Sequence, residues 1–290
     1  MPAPATNPTA TRVDVSVDTR APGGTTNAYL AAGLLVDPAA RTDALDAAVG
    51  LKEGDGTDAA TSPVDAIAVT HTHPDHVGAV AEYAELTGAP VFAHADHTDR
   101  FVAATGVDPD GTFRDGDRIG PTPVRAVDTP GHAPDHVAFA VDSERAEREP
   151  ETGGDGSLAL LCGDLAVAEG SVVVGAPEGD LNDYLSSLER VRELSVNRLY
   201  PGHGPLIDDP EQVCTRLRDH RLDREQSILA AVEAGAHDVD AVVDAAYEKD
   251  LTGVADLARA TVVAHLEKLV AEGRIDDAWA ERIGDASPVE

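Results

Sequence analysis

Apolar and polar residues alternate from Val13 to Val17, and Ala28 to Val36 is a mostly apolar run; both predict strands, joined through Pro22-Gly23-Gly24. Helical spacing follows over Arg41 to Val49, then a polar Gly/Asp/Thr loop over Glu53 to Pro63. Asp65 to Thr70 predicts a strand and Val77 to Thr87 a helix, with a sharp turn at Pro74 between them. Pro90 to Ala93 is a short strand, His94 to Thr105 a loop with a short helix, and Ile119 and Val124 to Val127 mark further strands. Val137 to Val141 and Leu158 to Cys162 are two more, separated by the acidic insertion Asp142 to Gly156, which predicts a solvated loop. Leu181 to Ser195 carries Leu181, Leu185, Leu188 and Val191 on one helical side, and Arg198 to Tyr200 is the last short strand. Strands arrive in two runs, each followed by helix, which predicts an α/β fold: an αββα sandwich of two packed mixed sheets with outer helices.

From Asp209 onward the pattern is helical only, over Glu211 to Ala234, Val239 to Tyr247 and Val254 to Glu272, stopped by Gly273. Two domains are therefore expected, 1–208 and a small helical one at 209–290, and the three helices followed by Arg274-Ile275 resemble a winged helix.

Composition changes the picture of the surface. Asp and Glu number 53 against 22 Lys and Arg, a formal net charge of -31, while 42% of residues are hydrophobic. The apolar periodicity argues for a folded chain, and the carboxylate excess with only three lysines resembles proteins of salt-loving archaea, whose self-repulsion is screened by high ionic strength. Cys162 and Cys214 offer no disulfide framework and are expected as buried small residues in a reducing compartment. Met1 to Thr11 lacks the basic start and apolar core of a signal peptide, and no apolar run approaches the ~20 residues that span a bilayer, so a cytoplasmic location with no membrane partner is expected.

Candidate chemistry concentrates in Thr70-His71-Thr72-His73-Pro74-Asp75-His76-Val77-Gly78. Alternation sends His71 and His73 to one side of the chain leaving the strand, and Asp75 and His76 open the following helix. Neutral imidazoles with a carboxylate suit zinc, or manganese or iron. Three further strand ends deliver metal-type residues: Thr129-Pro130-Gly131-His132, Leu160-Leu161-Cys162-Gly163-Asp164 and Tyr200-Pro201-Gly202-His203-Gly204. Taken singly, His132 and His203 also read as loop histidines and Asp164 as a helix cap.

In that order these motifs resemble the metallo-beta-lactamase superfamily from about Val13 to Asp208. The resemblance implies two Zn2+ ions (Mn2+ or Fe2+ as substitutes), the first on His71, His73 and His132, the second on Asp75, His76 and His203, with Asp164 bridging. It implies a hydrolase whose bridging hydroxide attacks an ester, thioester or phosphodiester, with Asp75 also orienting that hydroxide and handling its proton. His136 and Asn27 are weak candidates for the substrate cleft, each equally readable as packing or turn residues. His94 and His97 read as solvated loop histidines, and His220, His237 and His265 as structural or exposed.

Arg218-Asp219-His220-Arg221-Leu222-Asp223-Arg224-Glu225-Gln226, with Thr261 to Ile275, resembles the winged-helix tail of the beta-lactamase-like protein 2 family, some of whose members are linked to cleavage of single-stranded RNA. Yet Asp208 to Glu290 holds 9 basic against 20 acidic residues, which is no nucleic-acid stripe. Arg216, Arg218, Arg221 and Arg224 are expected on a salt-bridged solvent face. A small ester or thioester is thus the expected substrate, single-stranded RNA the alternative, and a winged-helix regulator with a metal-sensing domain the alternative of another class. The tail is expected to cover the cleft or to pair copies into a homo-oligomer.

Overall fold

The computed structural model describes residues 10–51, 62–142, 158–247 and 250–284, so the expected loops at 53–63 and 142–156 lie almost wholly outside the described residues. The chain forms two compact units. The first is drawn from Met1–Asp128, Asp135–Gly170 and Leu194–Pro210, the second from Thr129–Pro134, Ser171–Glu193 and Glu211–Glu290. Two segments ahead of residue 208 are thus grouped with the C-terminal helices.

The first unit contains two four-stranded sheets. One runs in the order β1 (Thr11–Ser16), β2 (Thr25–Ala31), β3 (Leu34–Val36), β4 (Ala66–Ala68). A short parallel pair, β5 (Phe92–His94) and β6 (Gly111–Phe113), continues beside it through a bridge from Ile67 to Val91. The other sheet holds β7 (Arg125–Asp128), β8 (Val137–Asp142), β9 (Leu158–Gly163) and β10 (Arg198–Pro201), in the order β10-β9-β8-β7.

The period of two along each strand decides where the core sits. Tyr29, Ala31, Leu34, Val36, Ala66 and Ala68 face one way and pack with Phe139, Val141, Leu161 and Tyr200 of the second sheet, which forms the core between the sheets. The alternate residues Ala28, Leu35 and Ile67 pack on Leu45, Val80, Tyr83 and Phe101. Those belong to α1 (Asp43–Ala48), α3 (Val80–Thr87) and α4 (Thr98–Thr105), which cover the outer face of the first sheet. Two sheets face to face with helices outside is the architecture that the strand runs predicted.

Local differences have plain causes. The single run Ala28 to Val36 folds as a hairpin, because Ala32 and Gly33 both take positive φ, 47° and 85°, and reverse the chain between β2 and β3. The helix expected at Val77 divides at Gly78-Ala79 into α2 (Pro74–Val77) and α3; a Cβ at Gly78 would lie 2.3 Å from Ala39 O, so glycine permits the close approach there.

The second unit holds α5 (Leu181–Glu193), α6 (Pro210–Glu233), α7 (Val239–Ala246), α8 (Ala255–Ala271) and α9 (Ala278–Gly284). Its core gathers Ile228, Val242, Val262, Leu266, Leu269 and Trp279. No strand forms beyond Pro201 among the described residues, and Arg274-Ile275 lead into α9. No described helix is long and apolar enough to cross a membrane.

Candidate metal centre

Two parallel strand pairs set the site's frame. In a parallel pair the carboxyl ends lie side by side, so residues that follow the two strands become neighbours. β3 and β4 pair in this way, placing Asp37 beside Thr70, and β9 and β10 place Asp164 beside His203.

Asp37 holds the first pair together. It is buried, and its Oδ1 accepts from Thr70 N at 2.7 Å, while Oδ2 accepts from Thr70 Oγ1 at 2.8 Å and from His76 Nδ1 at 2.9 Å. A carboxylate can only accept, so the His76 proton sits on Nδ1 and the Nε2 lone pair faces the site. His203 is set the same way: Nδ1 donates to Thr25 O at 2.8 Å, leaving Nε2 3.4 Å from Asp164 Oδ2 and 3.6 Å from Asp75 Oδ2. His76 Nε2 lies 3.7 Å from Asp164 Oδ1, so the two Asp164 oxygens face two different imidazoles. His71 Nδ1 is 3.1 Å from Thr70 Oγ1 and its Nε2 is 2.9 Å from His73 Nδ1. Asp75 Oδ2 also accepts from Thr19 Oγ1 at 2.6 Å.

Ligand-type atoms of Asp75, His76 and His203 lie within 4.8 Å of one another, and so do those of His71, His76 and Asp164. His76 Nε2 is fully buried with no hydrogen-bond partner among the described residues. A buried lone pair left without a donor is costly, and a divalent cation among imidazoles and carboxylates would satisfy it. The residues therefore fit zinc, manganese or iron.

Electrostatics agree with a cation site. Burial opposes protonation of His76, but the charge and hydrogen bond of Asp37, with Asp164 and Asp75, outweigh it and push the group up to about 9. His203 is raised as well, burial again opposed, this time by Asp164. The acidic surroundings favour positive charge at this ring, whether carried by a second proton or by a divalent cation on Nε2.

Glycine is required at two places. A Cβ at Gly202 would lie 2.6 Å from Asp164 Oδ1 and 2.8 Å from His76 Cε1. Gly163 takes φ +46°, and a Cβ there would lie 2.6 Å from Thr70 Oγ1 and 2.8 Å from His136 Nε2.

The weak candidates have structural work. Asn27 is buried and donates through Nδ2 to Pro201 O at 2.8 Å and Gly204 O at 2.9 Å, so it shapes the turn that carries His203. His136 Nε2 accepts from the Asp164 backbone N at 3.1 Å and fixes the start of that loop. His94 and His97 are half-buried and line a small cavity of about 10 Å³ with His71 and Thr72, beside the site rather than in open solvent. His132 belongs to the second unit, where its Nδ1 donates to Val173 O at 2.7 Å and Nε2 is left as the basic nitrogen. Reading the sequence missed Asp37 and Thr19. An Asp-Pro pair ends many strands; the signal for Asp37 is its φ of +52°, which the sequence does not display.

Residues 21–146 match the family model for the Metallo-beta-lactamase superfamily. A Drosophila melanogaster protein named Beta-lactamase-like protein 2 homolog is 30% identical over 77% of this chain and 74% of its own length. Its Caenorhabditis elegans namesake is 30% identical over 59% of this chain and 53% of its own length. An Aspergillus fumigatus protein named Atrochrysone carboxyl ACP thioesterase is 29% identical over 59% of this chain and 48% of its own length. The chain therefore spans about half the length of the worm and Aspergillus relatives. Among solved structures, a metallo-beta-lactamase family protein from Thermus thermophilus superposes with a TM-score of 0.69 at 26% identity, covering 93% of this chain and 96% of that one.

Proposed function

This chain belongs to the metallo-beta-lactamase superfamily, and on that premise we propose that it is a metal-dependent hydrolase of small acyl esters or thioesters. The observation that carries the reading is the pair of oriented imidazoles, His76 and His203, each with Nδ1 anchored and Nε2 turned toward a different Asp164 oxygen. In this reading Asp75, His76, His203 and Asp164 would hold one ion. His71 and His73, with Asp164, would hold a second, and His132 is added to them by the order of the family's motifs alone. Both ions are proposed as Zn2+, with Mn2+ or Fe2+ as substitutes.

Bound divalent ions supply water acidified toward neutral pH and polarise the oxygen under attack. The chain's own residues do the rest. Asp37 and Thr25 O keep the two imidazoles in the tautomer that presents Nε2. Asp75 keeps one oxygen beside His203 and is placed to take a proton from attacking water, while the Thr19 hydroxyl holds that carboxylate in orientation. The thioester class is supported by the thioesterase name of the Aspergillus relative. Residues 1–208 are proposed to supply the chemistry and 209–290 to act as a separate helical domain.

The test is a substrate panel at high salt on metal-reconstituted chain: an acyl thioester, a lactone, a lactam, a phosphodiester and single-stranded RNA. Thioester or ester turnover is expected, with Asp164→Ala losing both turnover and metal content. Turnover of RNA alone, or full activity in Asp164→Ala, overturns the reading.

A further inference from the structure

Outside the candidate metal centre, the second unit carries an open cleft of about 280 Å³. Its walls are unusual for so acidic a chain. His220, Arg221 and Arg224, all on α6, line it together with the apolar Val172, Val254 and Leu257.

The two arginines are not the salt-bridged solvent face that their spacing predicted. Arg218 meets that expectation, 2.8 Å from Asp219. Arg221 instead is 3% exposed, donates to Val172 O and lies 5.5 Å from the centre of the Tyr184 ring. Its Nε is buried with no hydrogen-bond partner among the described residues. Arg224 stacks on Tyr247 at 3.9 Å and donates to Ala246 O at 2.6 Å. Neither guanidinium has a carboxylate within ion-pair distance among the described residues, although the chain carries 53 acidic side chains. Burial, then Arg221 and Arg224, hold His220 below its ordinary value, as expected where positive charge is uncompensated.

A buried guanidinium without an anion is poorly stabilised, and a second one a helical turn away adds repulsion. The arrangement becomes favourable when an anion enters. We propose that this cleft binds an organic anion, a carboxylate or phosphate ester with a short apolar group. Its head accepts from Arg221 and Arg224, whose planar forks match either oxyanion, and its apolar part covers Val172, Val254 and Leu257. The volume sits near the lower end of the ~300–1,000 Å³ range of small-molecule sites.

Calorimetric titration of the full-length chain at fixed ionic strength tests this with hexanoate, hexyl phosphate and uncharged hexanol. Saturable binding of one or both anions, with hexanol silent, is expected, and the tighter anion names the head group. Arg224→Gln should weaken binding by about tenfold or more, the worth of one charge-assisted hydrogen bond. Val254→Trp, at a 43% exposed rim position, should block the cleft while the melting temperature is kept. No saturable anion binding, hexanol binding as tightly as hexanoate, or binding unchanged in both variants overturns the proposal.

Discussion

Asp37 shows how much one residue outside the motifs contributes. From a left-handed backbone at φ +52°, its carboxylate accepts three hydrogen bonds, two from Thr70 and one from His76. Asp37→Asn keeps the shape but replaces an acceptor by an amide that cannot serve all three donors. Such partners of metal-binding histidines are worth about 10–100-fold in affinity, so the variant should lose metal by that factor in a chelator competition. Unaltered affinity would remove Asp37 from the site. Gly202→Ala tests the same region sterically: its Cβ would meet Asp164 and His76 within 2.8 Å. Circular dichroism should stay native while bound metal falls; full metal occupancy would show that the loop yields. At this scale His71, His73, Asp75 and His76 stand out because they cluster within six positions, whereas His132, Asp164 and His203 are candidates only through the order of the family's motifs. Asp37 does not stand out, because its role depends on β3 lying parallel to β4, with Leu34 opposite Ala66, 32 positions along the chain.

Elements deliver those residues. Both parallel pairs end at the site, which is why donors from distant positions share one place. Strand positions were readable from alternation, whereas the β2–β3 reversal was hidden in a continuous apolar run. Within α8, His265 is 1% exposed with neither ring nitrogen hydrogen-bonded among the described residues. Burial first, then Arg221, Arg224 and Lys268, lower it from 6.5 to about 3. The unfolded chain thus binds the extra proton between those values. The stability tied to neutral His265 is complete above about 6.5 and is lost as pH falls toward about 3. His265→Leu should flatten that part of the stability-versus-pH curve and cost little at pH 7, since no hydrogen bond is given up. Urea midpoints of both proteins across the window decide it; parallel curves would refute the assignment.

For the whole molecule, net charge dominates. At -31, self-repulsion weakens the compact state at low ionic strength and is screened as salt rises. The melting temperature should climb steadily from about 0.1 M to about 2 M KCl, where the Debye length falls below ~3 Å. A melting temperature that does not respond to salt would show that the acidic surface has no such role.

The residues alone indicated the α/β class and the two sheets, and marked His71, His73, Asp75 and His76 as candidate metal donors, since strand period and ligand chemistry are local properties written directly in side-chain order. Tertiary structure decided which nitrogen His76 and His203 present, where the chain reverses and which arginines lose their carboxylates. Those outcomes rest on contacts between residues far apart in sequence, such as Asp37 with His76 and Arg221 with Val172. Folding brings such pairs together by burying surfaces that neither segment specifies by itself.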